Sequence, residues 1–470
     1  MKRTKIVCTI GPSSESVEIL KKMIISGMDV ARLNFSHGSH NGHLKIINNI
    51  RKASKRTGKT VAILGDLQGP KIRTGLLKNK EYFLKENSEI TLTTRNILGT
   101  EKIISTNYKN ITKDLKREDL ILLDDGMIQL KVKNIEDNNV FCKVIAGGLL
   151  KEHKGINLPG VDLSVSSLTK KDVEDLKFCL ENDLEYIALS FVRKVEDVKK
   201  IKKTISKFKK DTPVIAKLEK PEAVENLEEI LDISDGVMIA RGDMGVEMEL
   251  EKVPIMQKKI IEKANEYMIP VITATQMLES MTEHPRPTRA EASDVANAIL
   301  DGTDAVMLSE ETALGEYPLE SVKVMSRIIE TTEKEFSTQI VKRKIHPEKV
   351  LSFPDTVTSA AVYSAEAIRA KAIVAFTQSG FTALLISKSK PYIPVIAFTP
   401  YEKIKRKMSL YWGVNPKIMP LIENTDDLIE KVDKLLLKER FVKRGDAIVI
   451  ILGAPIYEKG TTNLLKLHRI

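Results

Sequence analysis

Apolar residues along the chain alternate between two textures. Short β-rich runs, bounded by glycine, proline or acidic residues, alternate with longer runs whose apolar positions recur at helical spacing. The short runs fall at 5–10, 29–35, 60–64, 186–191, 214–219, 236–240, 271–275 and 305–309. Helical spacing follows at 17–26, after 35 to about 57, and at 170–182, 195–210, 221–231, 254–267, 288–300 and 319–334. Eight strands, each followed by a helix, predict a (β/α)8 barrel. A doubly wound sheet would need a glycine-rich phosphate turn after its first strand, and Gly11-Pro12 does not supply one. After the third strand the rhythm breaks. Residues 70–156 carry short alternating runs with turn pairs such as Asp124-Asp125-Gly126 and Asn138-Asn139, the pattern of a small inserted β domain. Residues 346–354 look like a linker. Beyond it a second α/β pattern has helices at 357–369, 382–387 and 426–437, and strands at 372–377, 394–398, 447–452 and near 464–468. The expected organisation is a barrel over 1–69 and 157–345, a lid over 70–156 and an α/β domain over 346–470.

Composition narrows the class. A chain of 470 residues, 42% of them hydrophobic, has room for two to four domains with sizeable cores. No apolar run approaches the roughly 20 residues that cross a bilayer, and the apolar stretch after the basic start is too short for a signal peptide. A cytoplasmic protein without membrane contact is expected. Cys8, Cys142 and Cys179 are scattered, which argues against disulfides and zinc. The net charge of +10 favours anionic partners. Its lysines are spread along helices with few aromatics between them, so a solvated face or a phosphorylated small substrate is expected rather than nucleic acid.

The chemistry gathers at the C-terminal ends of the predicted strands, where barrel loops converge. Alternation puts Lys217 and Glu219 on the same side of the fifth strand as it runs out. The sixth ends in Arg241, Gly242 and Asp243. Around them come Arg32, Asn34, Ser36 and His37 from the second strand, and Asp66, Lys71 and Arg73 from the third. Thr275 and Gln276 follow the seventh, and Ser309, Glu310 and Glu311 the eighth. Glu219 and Asp243 are hard oxygen donors suited to Mg2+ or Mn2+. Arg32, Arg73 and Lys217 suit phosphate oxygens, and Gly242 lets backbone amides approach an anion. A metal, a lysine and arginines around one cavity meet the needs of phosphoryl transfer. A structural ion pair at a strand end is the plainer alternative for Lys217 and Glu219 alone.

These residues sit in motifs that resemble one family along nearly the whole chain. The motifs are Thr9-Ile-Gly-Pro-Ser, Ala31-Arg-Leu-Asn-Phe-Ser-His-Gly, Gly65-Asp-Leu-Gln-Gly-Pro-Lys-Ile-Arg, Lys154-Gly-Ile-Asn-Leu-Pro-Gly, Ala216-Lys-Leu-Glu, Ala240-Arg-Gly-Asp-Met-Gly, Ala274-Thr-Gln-Met-Leu-Glu-Ser-Met and Pro285-Arg-Pro-Thr-Arg-Ala-Glu. Together and in this order they resemble pyruvate kinase. The resemblance implies a barrel, an inserted β lid and a C-terminal effector and assembly domain, in a homotetramer. It implies transfer of the phosphoryl group of phosphoenolpyruvate to ADP, giving pyruvate and ATP. It casts Lys217 as the stabiliser of the moving phosphoryl group, Glu219 and Asp243 as ligands of Mg2+, and Arg32 as the substrate-phosphate contact. Gly242, Asp243 and Thr275 would contact the substrate carboxylate and its neighbourhood, Thr275 also serving the proton path to the enolate. Asn34, Ser36, His37, Arg73 and Lys154 would lie on the nucleotide side.

Two departures from the family pattern carry further expectations. Many relatives hold K+ with residues equivalent to Asn34, Ser36, Asp66 and a following threonine, beside a glutamate. Here the threonine position is Leu67 and the glutamate position is Lys71, so the Lys71 ammonium is expected to replace K+. Thr377-Gln-Ser-Gly-Phe-Thr resembles the effector phosphate loop, with Thr377, Ser379 and Thr382 as contacts to a sugar phosphate or AMP; Phe381 stands where relatives often have a basic or polar residue. Two rival functions remain open at this level: a lyase using Lys217 as a Schiff base, and a non-catalytic binding protein.

Overall fold

The computed structural model describes residues 2–335, 352–422, 424–454 and 462–470. All eight expected barrel strands form, at Lys5–Thr9, Val30–Asn34, Ala62–Asp66, Tyr186–Leu189, Val214–Leu218, Gly236–Ala240, Val271–Ala274 and Ala305–Leu308. Each pairs in parallel with its sequence neighbour, and the first pairs with the eighth, closing the barrel. Covered on both faces, these strands are almost uniformly apolar, as buried parallel strands must be. Val7, Val30, Leu64, Ile215, Met238 and Ile272 belong to one buried cluster. The alternate positions, among them Ala31, Ile63, Val214 and Val237, pack with the surrounding helices. Lys217 therefore shares the side of Ile215. Capping boxes at Thr169 and Thr288 start the helices Lys170–Glu181 and Arg289–Leu300.

The third strand lies two residues further along than its apolar run suggests and reaches Asp66. The fourth stops at Leu189, because Phe191 turns to a φ of 59°. Between the third and fourth strands lies the β insert, a six-stranded sheet and a two-stranded one around a core that includes Ile90, Leu92, Val132 and Val144. Its two legs run side by side: Ile156 N donates to Ile72 O at 2.9 Å and Thr74 N to Lys154 O at 2.8 Å.

The C-terminal sheet has five strands, in the order Val414–Ile418, Val395–Thr399, Ala372–Phe376, Ala447–Gly453 and Thr462–Arg469, the last antiparallel. The edge strand Val414–Ile418 and the helix Glu402–Lys407 go beyond the sequence expectation. The helix Phe353–Ala367 starts earlier than expected, with Ser352 as its cap and Pro354 in its first turn, where a missing N–H costs nothing. The expected boundary at 345/346 and most of the expected linker lie outside the described residues.

This sheet docks on the base of the barrel. Asp304, just before the eighth strand, pairs with Lys388 at 2.6 Å and Lys390 at 2.5 Å, all three buried. Its carboxylate also accepts Val271 N at the start of the seventh strand. Glu185, before the fourth strand, accepts from Arg406 at 2.6 Å, Arg51 at 2.8 Å and Ile63 N at 2.7 Å.

Candidate active site

The opposite end of the barrel collects the charges. Lys217 Nζ lies 2.8 Å from Glu219 Oε1 and 3.5 Å from Asp66 Oδ1. It also donates to Ser190 Oγ at 2.9 Å. Asp66 accepts from Arg32 Nε at 2.7 Å, and Arg32 reaches Thr9 Oγ1 at 2.9 Å. Strand pairing explains the meeting: Arg32 is in register with Leu64, Asn34 with Asp66, and Lys217 with Met238, so neighbouring strands deliver their ends to one rim.

Burial alone would push the Lys217 ammonium down, but Asp66, Glu219 and Asp243 outweigh it and hold it well above the ordinary lysine value. Asp66 is likewise held below the usual carboxylate range, burial being outweighed by Lys217 and Arg32. Glu219 is pushed up, first by burial and then by Asp243, with Lys217 opposing. The direction that governs this pair is that of Lys217, whose ammonium answers three carboxylates at once.

Asp243 is exposed in the first turn of the short helix Arg241–Glu247. Gly242 N donates to Thr275 Oγ1 at 2.7 Å, and a Cβ at 242 would sit 3.4 Å from that hydroxyl. Thr275 and Gln276 both have positive φ, at 67° and 54°. A β-branched residue rarely sits there, and strain of this kind collects at functional sites. Arg241 turns inward instead of lining the rim: it binds Asp294 at 2.7 Å and Thr275 O at 2.8 Å. Glu311 is also structural, accepting from Ser309 N and Leu278 N.

Lys71 is half-buried and within the field of the rim. Burial, Arg73 and Lys217 lower its pKa, against Asp243 and Asp66. Asn34 Oδ1 accepts from Ser36 N at 3.0 Å, Leu67 is buried, and Leu67 O accepts from Ser190 Oγ at 2.7 Å. His37 is exposed, its pKa lowered by burial of part of the ring and then by Lys71, Arg73 and Arg32. Arg73 and Lys154 sit on the legs of the insert, where Arg73 bridges Gly155 and Lys154 pairs with Asp124 at 2.8 Å. Thr377, Ser379 and Thr382 lie apart from the rim, along a cleft over the C-terminal sheet. Ser190 and Thr9 escape the sequence reading because their part in the site lies in the partners their hydroxyls reach, Lys217 and Arg32.

Glu219 and Asp243 fit a divalent cation. They are hard oxygen donors, Glu219 directly after the strand Val214–Leu218 and Asp243 in the helix that follows the adjacent strand Gly236–Ala240. Among the described residues no cluster of three or more histidine, cysteine or acidic side chains has the geometry of a complete metal cage.

The model of the pyruvate kinase barrel domain matches residues 1–322, and that of the pyruvate kinase alpha/beta domain matches residues 355–468. Pyruvate kinase of Sporosarcina psychrophila is 45% identical over 473 residues, covering 100% of this chain and 81% of the relative. That of Staphylococcus saprophyticus is 47% identical over 476 residues, with the same coverage. A crystal structure of a pyruvate kinase from Cryptosporidium parvum superposes with a TM-score of 0.93 at 38% identity, covering 100% of this chain and 96% of that one. With both of its folded units matched in turn and its full length shared with such relatives, the chain belongs to the pyruvate kinase family.

Proposed function

We propose that the rim transfers the phosphoryl group of phosphoenolpyruvate to ADP with Mg2+, without need of K+. The observation that carries this reading is the Lys217 ammonium, locked between Glu219 and Asp66 and held charged. A charged lysine there neutralises the transferring group, whose loose transition state spreads charge over its oxygens. Arg32, oriented by Asp66 and Thr9, binds the substrate phosphate. Gly242 N and Thr275 Oγ1 face the substrate carboxylate, and Thr275 lies on the proton path to the enolate. Glu219 and Asp243 would hold Mg2+ or Mn2+, which supplies charge neutralisation at the phosphoryl oxygens. His37, Arg73 and Lys154, with Asn34 and Ser36, form the nucleotide side, and the lid over 70–156 excludes water. A coupled assay for ATP formed from phosphoenolpyruvate and ADP tests this, with Lys217→Met as the inactive control.

The Schiff-base alternative needs a neutral amine, and Lys217 is held as an ammonium. Borohydride trapping with pyruvate should leave the protein unlabelled.

In place of a bound K+, the Lys71 ammonium supplies the positive charge beside Asp66. The C-terminal cleft takes a sugar phosphate or AMP. No lysine or arginine is among its described lining residues, so the phosphate would rest on hydroxyls and backbone amides. Thr377 Oγ1 already accepts Gly380 N at 2.9 Å, and Thr382 Oγ1 meets Thr462 Oγ1 at 2.7 Å, which shapes the loop. An effector response unchanged in Thr382→Ala would remove the loop from this role. The assembly is a homotetramer in the cytoplasm, with the exposed Ile255, Phe353 and Tyr363 as candidates for burial between subunits; light scattering measures the mass. The three units are the barrel over 1–69 and 157–345, the lid over 70–156 and the effector domain over 346–470.

A further inference from the structure

One buried carboxylate lies where three elements of the rim converge. Glu247 closes the helix Arg241–Glu247, whose first turn bears Gly242 and Asp243. Its Oε1 accepts from Lys220 Nζ at 2.6 Å and from Asn157 Nδ2 at 2.7 Å. Lys220 directly follows Glu219, and its ammonium lies 5.1 Å from the centre of the Phe191 ring. Phe191 in turn donates its N–H to Glu219 Oε2 at 3.1 Å. Asn157 belongs to the short strand Ile156–Asn157 on the return leg of the lid. Both charged partners are buried, and Glu247 Oε2 has no hydrogen-bond partner among the described residues.

A single oxygen thus joins the lid to the helix of Asp243 and to the segment of Glu219. A buried lysine–glutamate pair has weak claim to be there for stability, since an apolar pair often serves as well. Its value lies in direction. A seven-residue helix is a rod of about 10 Å, so a pull at Glu247 is felt at Asp243. The same pull acts on Lys220 and, one peptide away, on Glu219.

We propose that Glu247 is a positioning residue, which couples movement of the lid, through Asn157, to alignment of Glu219 and Asp243. This rests on the phosphotransferase reading above and adds that lid closure and assembly of the two carboxylates are one event.

The test uses the full-length protein with Mn2+ and phosphoenolpyruvate. Binding of Mn2+ is read from the loss of its free-ion paramagnetic resonance signal, and lid order from hydrogen exchange over residues 71–75 and 154–158. Asn157→Ala is expected to weaken Mn2+ binding about tenfold, the scale of a lost hydrogen bond to a charged group. It should also speed exchange on both legs and raise KM for ADP more than it lowers kcat. Glu247→Gln, nearly isosteric, should act in the same direction. The double variant should be no worse than the more damaged single one, because both act through one oxygen. Additive effects, or Mn2+ binding unchanged in both variants, overturn the proposal. If Asn157→Ala does not fold, Asn157→Ser carries the same comparison. A wild-type protein that forms no ATP defeats the phosphotransferase reading itself; an active one with unchanged variants defeats only this coupling.

Discussion

At the scale of single residues, the rim is governed by charges that hold one another ionised. Lys217→Met should lower kcat by about 10²–10³-fold, the scale of losing a preorganised charge at a transition state, while far-UV circular dichroism stays unchanged. Lys71 gives a prediction with a definite sign. Its pKa lies below the ordinary lysine value of 10.5, chiefly from burial and then from Arg73 and Lys217. With its ammonium in place, added K+ should not alter the rate at neutral pH. As pH rises toward 10.5 the ammonium is lost and stimulation by K+ should emerge. Lys71→Glu should show that stimulation already at neutral pH. Rates with and without K+ across this range check both statements, and strong stimulation of the wild type at neutral pH would refute them.

At the scale of elements, the barrel strands were legible because burial on both faces leaves a nearly continuous apolar run with a polar stop. That signal located all eight, though not their ends. The third apolar run stops at Leu64, whereas Gly65 and Asp66 continue the ladder because Asp66 is paired with Arg32 and Lys217. Val414–Ile418 was hidden for the opposite reason: Val-Asn-Pro-Lys-Ile is polar and contains a proline, tolerable only at a sheet edge. The charged rim residues could be read from strand ends, and their grouping follows from register. Ser190, Thr9 and the inward turn of Arg241 could not be read, since they depend on which side chain reaches which partner. The turn after the seventh strand makes its own prediction. Thr275→Gly should relieve strain and raise stability by about 1 kcal/mol, yet lower activity by removing the acceptor of Gly242 N. Thr275→Ser should keep activity. Thermal unfolding and kcat, measured together, separate the two effects.

At the scale of the whole molecule, the barrel is a set of staves with chemistry at one end and a charged seam at the other. Asp304 is held below the usual carboxylate range, with burial outweighed by Lys388 and Lys390. The folded-state value is depressed, so this contribution to stability is present above the ordinary value of 3.8 and is lost as pH falls through the lower folded value. Asp304→Asn should destabilise the protein by about 3–5 kcal/mol at neutral pH, because it strands two buried ammonium groups. Replacing Asp304, Lys388 and Lys390 together by apolar residues should recover most of that loss. Urea unfolding decides, and a silent Asp304→Asn would show that the seam is wet.

The side-by-side legs of the insert have a consequence of their own. Because Ile72 and Ile156, and Thr74 and Lys154, are hydrogen-bonded neighbours, the chain leaves and re-enters the barrel through a single doorway. Beyond those legs the cover is therefore a cassette: it can be lengthened, recoloured in charge or exchanged for another, provided the legs and the Asn157 contact to Glu247 are kept.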